Sequence, residues 1–210
     1  MVRDIFNTVS FILSDTSNVT WTEPDLINAL NNACRMVVIC RPDACSTIGD
    51  VTLKEGAQQR IPDDGLRLID TYYNESGIPI RMVSRRDVDR INPDWMHMNP
   101  TDDVLEVMYD GRIPDVFYVY PPAKEGRVIR LGYSLMPDVV NTADDPFPLP
   151  EKYSPAVIEW MLYQLFSLDS RNAQSQQQAS AHSQQFYQIL QVKTQADVMV
   201  APASSQKSAG

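Results

Sequence analysis

The residues of this 210-residue chain that could do chemistry are two histidines, three cysteines and three pairs of adjacent aspartates. Histidine at a convergent site serves as acid, base or metal ligand. His97 and His182 lie far apart, however, one in Trp95-Met-His-Met-Asn99 and the other in a Gln-rich stretch, and each reads as a structural or solvent-facing group. Neighbouring carboxylates can share a proton or a metal. Asp63-Asp64, Asp102-Asp103 and Asp144-Asp145 stand beside or near Gly or Pro, where aspartate favours turns by bonding its own backbone. Cys34, Cys40 and Cys45 have neither CxxC spacing nor a nearby histidine, which argues against zinc. Cys34 falls in a helical stripe and reads as core. No Gly-rich phosphate loop, GxSxG or HExxH occurs. The expectation is a protein that is not an enzyme and has no cofactor, no catalytic residues and no metal site.

Charge offers a different kind of site. Arg81, Arg85, Arg86 and Arg90 are the one positive concentration, and Asp87 and Asp89 are interleaved with them. The plain reading is an ion-paired surface. The sharper one is a contact with an acidic patch on a neighbouring subunit, for which Asp102, Asp103, Glu106, Asp110 and Asp115 are the natural complement. Arg81, Arg85, Arg86, Arg90, Asp102 and Asp103 are therefore the candidate subunit-interface residues. Net charge is −9 and the sequence pI about 4.6, which argues against gripping nucleic acid, because phosphate neutralisation dominates that affinity. An acidic wall past which DNA slides is compatible with it.

The composition, 43% hydrophobic and 21% charged, is that of an ordinary globular chain. Asp4 and Asn7 interrupt any signal-peptide core, no segment qualifies as membrane-spanning, and an odd number of thiols suits a reducing cytoplasm.

The elements that must position these residues follow from periodicity. Val2, Ile5, Phe6, Val9, Ile12 and Leu13 form a helical stripe. A polar loop at 15–20 leads to a second helix, with Thr22 as cap, Pro24 in the first turn and Asp25 three residues after the cap. From residue 46 the period becomes two, with strands around 51–54, 59–62, 66–72, 78–83, 117–120 and 128–133 separated by Gly- and Asp-bearing turns. Phe117-Tyr-Val-Tyr120 and Tyr72-Tyr73 place rings on both sheet faces, one for core and the other for an interface. A short helix is expected over 84–91. After a proline-rich acidic connection at 137–150, Ser154 and Pro155 open a helix to Leu168 that is apolar on nearly every side, and so must be surrounded. A Gln/Ala-rich helix follows to about Gln195, then a weakly patterned arm.

The fold class expected is α+β: an antiparallel helical bundle from N- and C-terminal helix pairs, with an inserted antiparallel β-sheet or barrel-like domain and an extended C-terminal arm. The boundaries are 1–45 and 151–196 for the bundle, 46–150 for the β domain and 197–210 for the arm.

This plan resembles the head-to-tail adaptor proteins of short-tailed phages, the tail tubular protein A or gatekeeper family. The resemblance rests on Trp21-Thr-Glu-Pro-Asp-Leu26, Arg41-Pro-Asp-Ala44, Leu53-Lys-Glu-Gly-Ala-Gln-Gln-Arg-Ile-Pro62, Asn92-Pro-Asp-Trp95, Phe117-Tyr-Val-Tyr-Pro-Pro122 and Leu149-Pro-Glu-Lys-Tyr153. It implies a structural virion protein at the head–tail junction, assembled in the host cytoplasm. It also implies a ring of about twelve copies joining the portal protein to the tail nozzle protein and leaving a DNA channel, with no sequence-specific DNA binding and no membrane. In that family the bundle and C-terminal segment dock on the portal, which singles out Phe186, Ile189, Leu190, Val198, Met199 and Val200. A long-tailed-phage connector is the alternative in the same class; a small hydrolase or a host binding module are those in other classes.

Overall fold

The computed structural model describes residues 1–169 and 173–200, with side chains described for 1–169 and 174–191. Among the described residues the chain is α+β, with five α-helices and two sheets. It divides into two units, Met1–Arg41 with Pro137 onward, and Pro42–Met136.

The first unit is built around the apolar helix. Helices α1 (Val2–Ile12), α2 (Glu23–Cys40) and α5 (Ala173–Val200) all contact α4 (Ser154–Leu168). Ala156, Val157, Met161, Leu162 and Leu165 of α4 are buried, and Gln164 donates to the Ala29 carbonyl of α2 at 3.1 Å. Start signals work as their chemistry dictates. The Asp25 carboxylate takes both the backbone N–H and the hydroxyl of Thr22, and these bonds lower its pKa. Asp15 accepts the N–H groups of Val19, Thr20 and Trp21, closing the α1–α2 loop with a carboxylate that is likewise held below its usual range.

Two expectations are corrected here. A 3-10 turn at Glu151–Tyr153 runs straight into α4, so Tyr153 occupies the cap position and Ser154 is already helical. Helix α5 also continues through 197–200 as far as Val200, where a non-helical arm was expected. No proline or glycine interrupts 173–200, so weak patterning alone does not stop a helix whose residues propagate it. Residues 201–210 of the expected arm lie outside the described residues.

The second unit holds β1 (Ser46–Thr52), β2 (Gly56–Arg60), β3 (Gly65–Asn74), β4 (Arg81–Val83), α3 (Arg85–Ile91), β5 (Glu106–Tyr109), β6 (Val116–Ala123) and β7 (Val128–Leu135). The sheets have strand orders β1-β7-β3 and β2-β6-β5-β4. They are open, not a barrel, and β4 runs parallel to β5, where an antiparallel domain was expected. The division into two open sheets begins at the turn after β1. Rather than forming a hairpin, β1 pairs with β7 and β2 with β6, so the chain changes sheets between Thr52 and Gly56. Gln59, buried, holds that crossing: its amide accepts from Lys54 N–H and donates to the carbonyls of Lys54 and Gly56, all within 2.8–2.9 Å.

Strand β6 shows the two-residue period directly. Phe117 and Val119 enter a core with Leu53, Leu68, Val107, Ile129 and Leu131. Tyr118 and Tyr120 face the other way, onto a smaller cluster around Trp95, Val88, Met108 and Ala57. The turns at Gly77 and Gly126 require positive φ, +87° and +77°, which glycine adopts without strain. Strand β5 was not expected at all. Four residues inside an acidic segment give too short a pattern to read.

Two substitutions test this packing. Leu162→Ala should destabilise the first unit by about 2–5 kcal/mol, seen as a lower denaturation midpoint by tryptophan fluorescence. Asn74 donates to the carbonyls of Ile78 and Val104 and accepts the Val104 N–H. Asn74→Ala should cost about 1–3 kcal/mol for each buried group it strands, with faster amide exchange at Val104.

Candidate functional site

The site is assembled on the outer side of the β2-β6-β5-β4 sheet. Helix α3 is seated there because Val88 and Trp95 are buried beneath it, 3% and 1% exposed. The Trp95 indole N–H donates to Asp89 at 2.8 Å, and its ring meets Tyr118 edge-on at 6.1 Å. Seating α3 in this way swings Arg85 over the Tyr118 ring, 5.7 Å from its centroid, and pairs it with Asp89 at 3.5 Å.

Between α3 and the β5–β6 turn lies an open groove of about 500 Å³. Met108, Ile113 and Tyr118 give it apolar walls, and Arg85, Arg86 and Arg112 rim it. Arg112 is neutralised within the turn, its guanidinium donating three hydrogen bonds to the two Asp110 oxygens and its backbone N–H a fourth. These bonds draw the Asp110 carboxyl down to about 2. Arg86 has no ion-pair partner among the described residues. The arrangement sets the Arg86 guanidinium beside apolar walls, and no histidine or cysteine lines the groove.

Of the expected interface residues, Arg85 and Arg86 line this groove. Arg81 pairs instead with Glu106 at 2.9 Å, and Arg90 with Asp87 at 3.7 Å. Asp102 sits between Lys124 and Arg127, at 2.8 and 3.5 Å, and Asp103 accepts from the Ser76 hydroxyl. Arg81, Arg85 and Arg90, like Asp102 and Asp103, are thus held by separate partners within the chain, whereas Arg86 is not. Arg112 and Ile113 were missed by sequence reasoning because β5, which leads into their turn, was missed.

Among the residues expected to face the portal, Phe186 and Leu190 are buried in the chain, 0% and 4% exposed, and Phe186 packs on Trp160 at 4.6 Å. Ile189 is half-buried. Val198, Met199 and Val200 lie on the last turns of α5, and their side chains are outside the described ones.

The chemical candidates resolve locally. His97 is exposed on a 3-10 turn. The His182 Nδ1 lies 2.7 Å from a Glu159 oxygen, with its ring stacked on Phe166, so it joins α5 to α4. Asp145 accepts the N–H groups of Asn141 and Thr142, Asp144 pairs with Arg3 at 2.7 Å, and Asp63-Asp64 form a turn. Among the described residues no group of three or more His, Cys, Asp or Glu could hold a metal ion, and no helix is long and apolar enough to cross a membrane.

The Asp110 clasp has a pH signature. A carboxyl lowered in the folded state contributes stability above its unfolded value, about 3.9, and loses it as pH falls through the folded one. A carbon-detected NMR titration should therefore place the Asp110 midpoint near 2, and Arg112→Ala should return it toward the ordinary range.

No curated protein matches the chain. A family model described as SU10 adaptor protein matches residues 2–206, across both units. The chain belongs to the SU10 adaptor protein family.

Proposed function

We propose that this chain is a structural virion protein of a short-tailed bacteriophage, a head–tail adaptor and not an enzyme. About twelve copies would close into a ring that joins the portal to the tail nozzle and leaves a channel for DNA. The observation that carries this reading is the adaptor-family match over residues 2–206. The net charge of −9 supports a channel that lets DNA slip, since a wall without excess cation forms few phosphate contacts. The helical unit, with the end of α5 and the residues beyond it, is the portal-facing part. Phe186 and Leu190 serve it indirectly, by fixing α5 on α4.

Light scattering after size-exclusion chromatography of the chain with the portal of its own phage tests the proposal. Twelve copies of 23.7 kDa should add about 280 kDa to the portal; failure to form any complex would remove the portal from the reading. Deleting residues 197–210 should leave the helical circular dichroism and thermal midpoint nearly unchanged while weakening portal binding at least tenfold (about 1.4 kcal/mol). Full binding by the truncated chain would exclude the end of α5 from the contact.

A further inference from the structure

We propose that the groove between α3 and the β5–β6 turn receives the exposed Asp138-Val139 of a second copy of this chain, with Arg86 meeting the Asp138 carboxylate. The inference rests on the adaptor reading, and it names the surfaces through which copies touch.

The groove asks for an anion with an apolar neighbour. It carries three arginines and two aspartates in a chain of net charge −9. Arg85 and Arg112 are answered by those two aspartates, which leaves the Arg86 charge for a partner. Ile113, 56% exposed, offers apolar surface alongside it.

The extended segment Pro137–Asn141 supplies that chemistry. Pro137 and Val140 are buried, while Asp138 and Val139 between them are exposed, Val139 by 56%. The Asn31 side chain clamps Val140 from both sides, donating to its carbonyl at 2.8 Å and accepting its N–H at 2.9 Å. A projecting dipeptide held at both ends loses little freedom on docking, which favours association. Asp138 has no ion-pair or hydrogen-bond partner among the described residues, so its carboxylate is available.

Groove and projection are different surfaces of one chain. A contact between them can repeat head-to-tail from copy to copy, closing into a ring when the rotation allows, or be made twice, reciprocally, in a two-fold dimer, and the sedimentation coefficient tells the two apart.

A charge exchange tests the pairing, read by sedimentation velocity of the full chain alone and of the full chain loaded on the portal. Arg86→Glu and Asp138→Arg are exposed substitutions and should leave the thermal midpoint unchanged. Each alone should weaken copy–copy association at least about tenfold, because it sets like charges together, and the double variant should recover most of the loss. Normal assembly by either single variant, or a double variant no better than the singles, would overturn the pairing while leaving the adaptor reading intact. A wild-type chain that stays monomeric in both settings would overturn both. An Arg86→Glu chain that assembles normally but fails to take up the nozzle would reassign the groove to the nozzle and also overturn the pairing.

Discussion

Much of this structure depends on side-chain amides standing in for backbone. A partly buried peptide group needs a hydrogen-bond partner, and irregular segments cannot supply one from a neighbouring strand or turn of helix. Asn31 answers Val140 with both a donor and an acceptor, Asn74 does the same for Val104, and Gln59 for Lys54. Each amide offers one acceptor and two donors in one plane, which is the geometry of a paired strand condensed into a single residue. These three positions are where the chain leaves regular structure: the connection after β7, the approach to β5, and the crossing from one sheet to the other. Removing any one would leave backbone groups that water reaches poorly.

The same fact explains what could and could not be read from the sequence. Helix α4 was legible because three cues agree: proline at the start, apolar side chains on nearly every side and a length short of a bilayer. Strands β3, β6 and β7 were legible from a period of two. The amides were not, because one polar residue in an alternating pattern looks like a solvent-facing position, and only the fold shows that Asn74 is 2% exposed. The barrel-like expectation failed for a related reason. A glycine turn between two short alternating runs signals a hairpin, yet Gln59 stabilises a turn whose flanking strands part company.

At the candidate site, the basic concentration was visible in the sequence but its division was not. Residue spacing shows that Asp87 and Asp89 can pair with Arg90 and Arg85 along one short helix, and they do. It does not show that Arg81 lies on β4 opposite Glu106, or that a missed strand brings Arg112 and Ile113 to the same groove. Phe186 and Leu190 show the opposite limit. Large apolar residues on a thin helical face can serve a partner or the chain's own core, and the aromatic layer around Trp160 is what takes Phe186.

The acidic character of the chain is more structured than its net charge implies. Asp15, Asp25 and Asp145 accept backbone N–H groups at turns and a helix start, and Asp102 and Asp110 are held by cations; all five carboxyls are lowered in pKa. These charges serve the fold and stay ionised well into acid. Sharing a carboxylate engaged in this way with a partner would first break bonds it already makes within the chain. Acids the fold leaves alone are freer to meet other copies or other proteins. That distinction favours Asp138 over its neighbours Asp144 and Asp145, which are already committed to Arg3 and to the turn at Asn141.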